Sequence, residues 1–494
     1  MPSKHGDIPS RDFLRLTFIS PYLTGKVMSG GSNKIILFAL VLGTFMTALD
    51  ATIVSVALPT MAEELGEAGH DTSNISWVLL VYTLMLCCFI LLWSKIGSNI
   101  GYKKVFMTGI SLFAVTSLAI GLCGFVEELG LRAIIVLRAV QGMGAGMSMS
   151  VSLAMVSSYL PPEIRGSSIG AVTLAASAGS AFGPALGGLL TTFHWSYIFF
   201  INVPIGALCI ILCMRYMKVR ESLPPERPKL DFPGALFMLL MLFPLIYYLN
   251  VGADIGWISN EGLGLLMLTF LGAGLLFWWE QRAKDPLVSL RLMGESNIVR
   301  ACLISLVMFM AMAGSYLLLP YYLQFVQGYE TMEYGLILIA NSVGMMVSGP
   351  LIGRVADRTG NNRIFIICGT LTTALGFFLM TVFDRDTQLW FILLALFVMG
   401  AGLGMAMVSS TNLAFGYIRE GENGQMSGLT NTFRQAGSSA GVAILNAIFM
   451  GTIVLSPGID LIPGFRHAFF TAVLIAMVGF AIAMSMRDKP RKTE

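Results

Sequence analysis

Fourteen stretches of this chain run apolar for about 20 residues, the length a helix needs to cross the hydrocarbon core of a bilayer. A helix satisfies its own backbone N–H and C=O groups within lipid, so a chain built this way is expected to be an all-α, polytopic membrane protein. The spans fall at about 34–58, 75–93, 105–125, 131–157, 166–190, 197–217, 233–250, 261–279, 298–324, 334–353, 363–383, 388–415, 424–455 and 465–486. Pro233, Pro244 and Asn250 interrupt the seventh, so a twelve-span arrangement with a re-entrant insert stays open. Composition agrees with the pattern: 12% of residues are charged, against about 25% in a soluble domain, and mean hydropathy is +0.76.

The basic residues orient the spans. With a cytoplasmic N-terminus, inside segments hold 26 of the 31 Lys and Arg residues, and the outside segments hold only Arg132, Arg385 and Arg466. The positive-inside rule therefore predicts both termini in the cytoplasm of a multi-pass protein of the cell membrane. The first apolar stretch is too long for a cleaved leader and lacks a small-residue cleavage site, so it is expected to remain as the first span. Residues 11–28 mix basic and apolar side chains and could lie along the membrane surface. The net charge of +3 is what positive-inside loops produce and implies no nucleic-acid partner. Four scattered histidines give no metal cluster, and no carboxylates pair at depth, so an enzyme is not expected.

An internal repeat sets the domain plan. SKIGSNIGYKK (Ser94 to Lys104) follows the second span and GRVADRTGNNR (Gly353 to Arg363) follows the tenth, with Gly101 and Gly360 in matching places. Repeats of this kind are the common plan of secondary transporters. The expected division is a cytoplasmic segment 1–33, a six-helix bundle 34–217, a linker with a two-helix insert 218–297 (spans 233–250 and 261–279), a second six-helix bundle 298–486 and a tail 487–494.

Four motifs lie in spans that fit one known family. LDATIVSVALP (Leu49 to Pro59), LRAVQGMGAG (Leu137 to Gly146), GSAFGPALGG (Gly179 to Gly188) and HWSYIFFINVPIG (His194 to Gly206) resemble signatures of the major facilitator superfamily, and within it the fourteen-span drug:proton antiporter branch. The resemblance covers essentially the whole chain and implies two six-helix halves with two extra helices between them. It also implies a charged latch in the loop after the second span, but this chain has Ser98 and Asn99 where the family carries Asp and commonly Arg. The latch residues stand only in the second copy, as Asp357 and Arg358. A weaker gate on the first side is expected, or one rebuilt from Lys95, Lys103 and Lys104.

Three charges sit inside the spans: Asp50, Arg138 and Arg434. On the lenient insertion scale each costs roughly 2.5–3.5 kcal/mol at the bilayer centre, so each needs a partner or a purpose. Asp50 lies nine residues before Pro59 and Arg138 seven after Leu131, about 13 and 10 Å from the same surface at 1.5 Å per residue. A pairing of the two, direct or through Gln141 or water, is expected. Burial raises a carboxyl pKa and a nearby cation lowers it, so a carboxylate moved between those environments takes up and releases a proton. The bland alternative is a static pair locking two helices.

Gly179, Gly183 and Gly187, with Pro184 and Gly188, give the fifth span a close-packing, bendable face in its outer half, expected to serve a gate. Arg434 sits near the midplane, where it could hold the halves together or face an anionic substrate. Candidate lining positions are Met46, Asp50, Ile53, Val54, Asn341, Ser409, Asn412 and Arg434.

The expected activity is alternating-access antiport: a small lipophilic compound, cationic or neutral, leaves as protons enter through Asp50. The proton gradient is the energy source, with no cofactor and no metal; the bilayer is the surrounding partner and the chain acts as a monomer. Two alternatives stay open: a symporter or uniporter for a lipophilic metabolite or organic anion, and a transporter-fold lipid flippase or scaffold.

Overall fold

A computed structural model describes residues 30–65, 73–126, 130–217, 231–283, 286–287, 290–419, 421–454 and 460–486. The surface segment expected at 11–28, most of the linker, the tail and the Asp357 side chain lie outside the described residues. Among those described there is no strand. The helices are α1 (Gly30–Glu64), α2 (Ser73–Ile100), α3 (Tyr102–Cys123), α4 (Gly130–Tyr159), α5 (Arg165–Thr191), α6 (Tyr197–Phe200) and α7 (Asn202–Tyr216). They continue as α8 (Phe232–Ile255), α9 (Asn260–Glu280), α10 (Leu290–Gly294), α11 (Ser296–Tyr321), α12 (Thr331–Thr359), α13 (Asn362–Met380), α14 (Leu389–Phe415), α15 (Asn423–Val454) and α16 (Ile462–Ser485).

Among the described residues 13 helical segments are long and apolar enough to cross a membrane, with α6 and α7 together forming one of them. The remaining expected span, 424–455, is α15, 32 residues long, which opens on the polar stretch NGQMSGLTNTFRQAGSS. Its Ser427, Thr430 and Asn431 are buried, so the polarity faces protein rather than lipid. Pro233 occupies the first turn of α8, where a missing N–H costs nothing, and α8 continues through Pro244 to Ile255. The insert is thus a hairpin of two helices, each long and apolar enough to cross a membrane, turned at Gly256 (φ 85°).

In the first half α1 packs on α5, and α4 on both α2 and α3; in the second, α11 packs on α15 and α16, and α14 on both α12 and α13. The halves meet where α5 lies along α12 and where α15 crosses α2 and α4. The hairpin leans on this second seam through α8, with Trp77 of α2 stacked on Tyr247 at 5.8 Å, while α9 carries outward apolar side chains such as Met267 and Phe270. Both repeat loops place a glycine at positive φ, a region that favours glycine, but in different conformations: Gly101 at φ 110°, ψ 134° and Gly360 at φ 69°, ψ 5°.

At the end bearing Lys95, Lys103 and Arg165 the halves are in tight contact. A Cβ on Gly353 would lie 2.5 Å from the Gly166 carbonyl carbon, and one on Gly170 would lie 2.9 Å from that of Gly349. Across the other seam the Tyr102 hydroxyl accepts a hydrogen bond from the Gly424 N–H at 2.9 Å, and Asn431 donates to the Met149 carbonyl at 2.8 Å. Around Ser98, the Ser98 hydroxyl donates to the Lys95 carbonyl, Lys95 to that of Pro286 at 3.1 Å, and Lys103 to that of Met217 at 2.6 Å. Lys104 points outward, and Arg358 lies exposed in the last turn of α12.

One ion pair ties α10 to the loop before α15: Arg291 donates to both Glu422 oxygens, at 2.7 and 2.6 Å. Partial burial opposes ionisation of Glu422, but the bonds from Arg291 and the Arg419 N–H outweigh it and hold the carboxyl below its usual range. A lowered folded pKa means that the bridge stabilises above the unfolded value near 4.5 and is lost as pH falls through the folded one. Glu422→Gln should therefore cost about 1 kcal/mol or less at neutral pH and nothing in acid, read as melting temperatures of the two chains converging as pH falls.

Candidate functional site

The buried polar cluster of the first half is assembled from five segments. Arg138 of α4 donates from Nη1 to Asp50 Oδ2 of α1 at 2.7 Å, and neither side chain is exposed at all. Gln141, one turn along α4, accepts from the same Arg138 nitrogen at 2.6 Å and donates to Asp50 Oδ1 at 3.2 Å and to Ser117 of α3 at 2.7 Å. Asn202, the first residue of α7, donates to Asp50 Oδ1 at 2.9 Å. Arg138 Nε donates to the Val78 carbonyl of α2 at 3.0 Å, and the guanidinium lies 4.3 Å from the centre of the Tyr82 ring.

The geometry realises the expected Asp50, Arg138 and Gln141 grouping as a direct pair with Gln141 bridging it. Sequence reasoning missed Asn202, Ser117 and Tyr82. Asn202 stands as a polar interruption in the run IFFINVPIG, at the break between α6 and α7, and that interruption was its signal. Ser117 and Tyr82 carried none, since neither residue type is unusual in a span.

Backbone contact explains how the cluster is held. A Cβ at Gly179 of α5 would sit 2.5 Å from the Phe45 carbonyl oxygen, and one at Gly187 would sit 3.0 Å from that of Ile53; Gly183 abuts Thr52. The ladder thus presses directly against the stretch of α1 that carries Asp50, so these glycines meet a helix of the same half. On α4, Gly142 abuts the Tyr82 backbone and a Cβ on Gly146 would lie 3.0 Å from the Leu86 carbonyl oxygen, which brings the Arg138 helix down on α2. Pro184 and Gly188 lie on α5 beside the ladder, and a Cβ on Gly335 of α12 would lie 3.1 Å from that of Ala185 between them.

The candidate lining residues divide between the halves. Met46, Ile53 and Val54 are fully covered, with Met46 sulfur 3.7 Å from a Cβ built on Gly206 and Ile53 held against the ladder. Asn341 of α12 donates to the Tyr316 hydroxyl at 2.5 Å and leaves its own oxygen unpartnered. Ser409 is buried on α14, and Asn412 donates to Asn362 at 3.2 Å. Arg434 of α15 donates to Thr411 of α14 at 3.0 Å and lies 5.5 Å from the Phe309 ring of α11.

Chemically, the first-half cluster balances one carboxylate against one guanidinium, with amides filling the other acceptor sites.

Comparison with known proteins places this architecture. The chain is 32% identical over 414 residues to the multidrug resistance protein Stp of Mycobacterium tuberculosis, covering 83% of this chain and 75% of that one. It is 29% identical over 424 residues to the tetracenomycin C resistance and export protein of Streptomyces glaucescens, covering 84% and 76%. In fold it resembles the human organic anion transporter MFSD10 (TETRAN), with a TM-score of 0.64 at 16% identity over 91% of this chain and 99% of that one. With the Major Facilitator Superfamily profile matching residues 40–442, the chain belongs to that family of multi-pass membrane transporters.

Proposed function

We propose that this chain is a proton-coupled exporter of lipophilic drugs or toxic compounds that works by alternating access. The observation that carries the reading is the buried Asp50–Arg138 pair, held by Gln141 and Asn202, on a helix clamped by the α5 glycine ladder. Relatives named for multidrug resistance and for export support the direction and the class of cargo. The basic end is cytoplasmic by the positive-inside argument, which puts both termini there and the protein in the cell membrane. In the described conformation that end is closed by the Gly166–Gly353, Gly170–Gly349 and Tyr102–Gly424 contacts. Asp357 and Arg358 are assigned to the same gate.

In this scheme the bundles 34–217 and 298–486 rock about the site, and the insert within 218–297 buttresses the α2–α15 seam. A proton entering from outside protonates Asp50, the pair with Arg138 parts, and α1 is freed to shift against α5. Closure at the other end and release of the proton to the cytoplasm restore the pair. No cofactor has a part in this cycle, and one chain suffices for it. Met46, Ile53 and Val54 are covered in this conformation and would meet cargo only after α1 moves.

Proteoliposomes with an imposed pH gradient test the reading. Ethidium efflux driven by the gradient in the wild type should be lost in Asp50→Asn, which keeps the shape and the amide hydrogen bonds but cannot carry the proton. Equal gradient-driven efflux in both chains would remove Asp50 from the coupling.

A further inference from the structure

Of the three charges deep in the bundle, two cancel and the third does not. Asp50 and Arg138 neutralise each other, while Arg434 forms no ion pair with any described carboxylate. It sits eleven residues into α15, about 16 Å along the helix and so near the membrane midplane. Its bond to Thr411 uses Nη2, its Nε is sealed from solvent without a partner, and Phe309 covers part of the guanidinium. Most of its five donors are therefore unused, in a planar fork that suits a two-oxygen acceptor.

The surroundings fix where that fork is. Asn431, one turn earlier on the same face of α15, reaches the Met149 carbonyl of the other half, so Arg434 lies beside the seam along which the halves part. On the same face of α15, three and seven residues on, Gly437 abuts the Leu306 carbonyl and a Cβ on Gly441 would lie 2.6 Å from the Met310 carbonyl carbon, so α15 is pressed against α11 beside Arg434. Arg434 is held in place as an uncompensated cation where a lone charge is costly. Asp50 offers no free negative charge to a cationic cargo while paired.

We propose that Arg434 is the specificity-determining residue for cargo. It receives the acidic head, carboxylate or sulfonate, of a lipophilic molecule whose apolar body lies between the halves. The proposal rests on the exporter reading above and ranks its cargo, favouring amphiphilic acids over lipophilic cations such as ethidium. Thr411 positions the guanidinium, and Phe309 shields it from water.

The full chain in phosphatidylcholine vesicles tests this with radiolabelled taurocholate, a sulfonate that stays ionised. Equilibrium binding without a gradient reads Arg434 alone. Arg434→Gln should weaken taurocholate binding at least tenfold, and Arg434→Lys should recover part of it. In gradient-driven transport Arg434→Gln should raise KM for taurocholate and lower KM for ethidium, an opposite movement that misfolding cannot produce. Loss of transport for both probes in a monodisperse Arg434→Gln protein would assign Arg434 a structural role and overturn the proposal. Abolition of taurocholate binding by added phosphatidylglycerol would assign the site to a lipid head group and overturn it equally. Arg434-dependent binding without gradient-driven movement would instead reject the exporter reading and leave this site standing.

Discussion

Arg138→Met should destabilise the protein by about 3–5 kcal/mol, and adding Asp50→Asn to the same chain should restore most of the loss. Removing the guanidinium alone strands a fully buried carboxylate that has lost its 2.7 Å partner and keeps only amide donors from Gln141 and Asn202. Removing both charges leaves a Met side chain against Tyr82 and Phe199 and an amide where the acid stood, a neutral site of similar volume. Thermal melts of the solubilised wild type, two single variants and the double variant close a double-mutant cycle. Strong coupling with rescue is the expected outcome; simple addition of the two losses would mean that the pair is energetically idle. Rescue of the fold without rescue of gradient-driven transport would separate the pair's structural contribution from its role in coupling.

Gly183→Leu should abolish transport in a protein that still inserts. The added Cβ meets Thr52 side-chain atoms and lies 3.1 Å from the Ile53 backbone nitrogen, so α1 must move away from α5 next to Asp50. Overpacking of this kind costs about 1–3 kcal/mol. The larger effect is on geometry, because the hydrogen bonds to Asp50 span 2.7–3.2 Å and tolerate little displacement of one helix. Gly264→Ala and Gly274→Ala on α9 serve as controls, since nothing lies within 4 Å of a Cβ at either position. Both should transport normally. Equal damage from all three substitutions would show that the ladder has no special relation to α1.

The sequence made the fold legible because membrane helices announce themselves by length and apolarity, and the basic loops repeat on one side. It was least legible at α8, where proline in the first turn mimics an interruption. The Asp50–Arg138 pair could be inferred from depth arithmetic along two helices running in opposite directions. Asn202 could not, because its reach to Asp50 depends on the break between α6 and α7 and on how α7 packs against α1 and α3. The glycine ladder was visible as a spacing, but a spacing does not name the helix it faces, and that helix is α1. Likewise Ser98 and Asn99 revealed a missing latch without revealing the Tyr102–Gly424 and Lys95–Pro286 bonds formed nearby.

The central claim is that Asp50 carries the proton that exchanges for cargo. It is tested most directly by running the exchange backwards, with a cargo gradient imposed across proteoliposomes at equal pH and a trapped pH dye reporting the lumen. Protons should move opposite to the cargo in the wild type and stay still in Asp50→Asn. Cargo movement without proton movement in the wild type, or undiminished proton movement in Asp50→Asn, would contradict the claim.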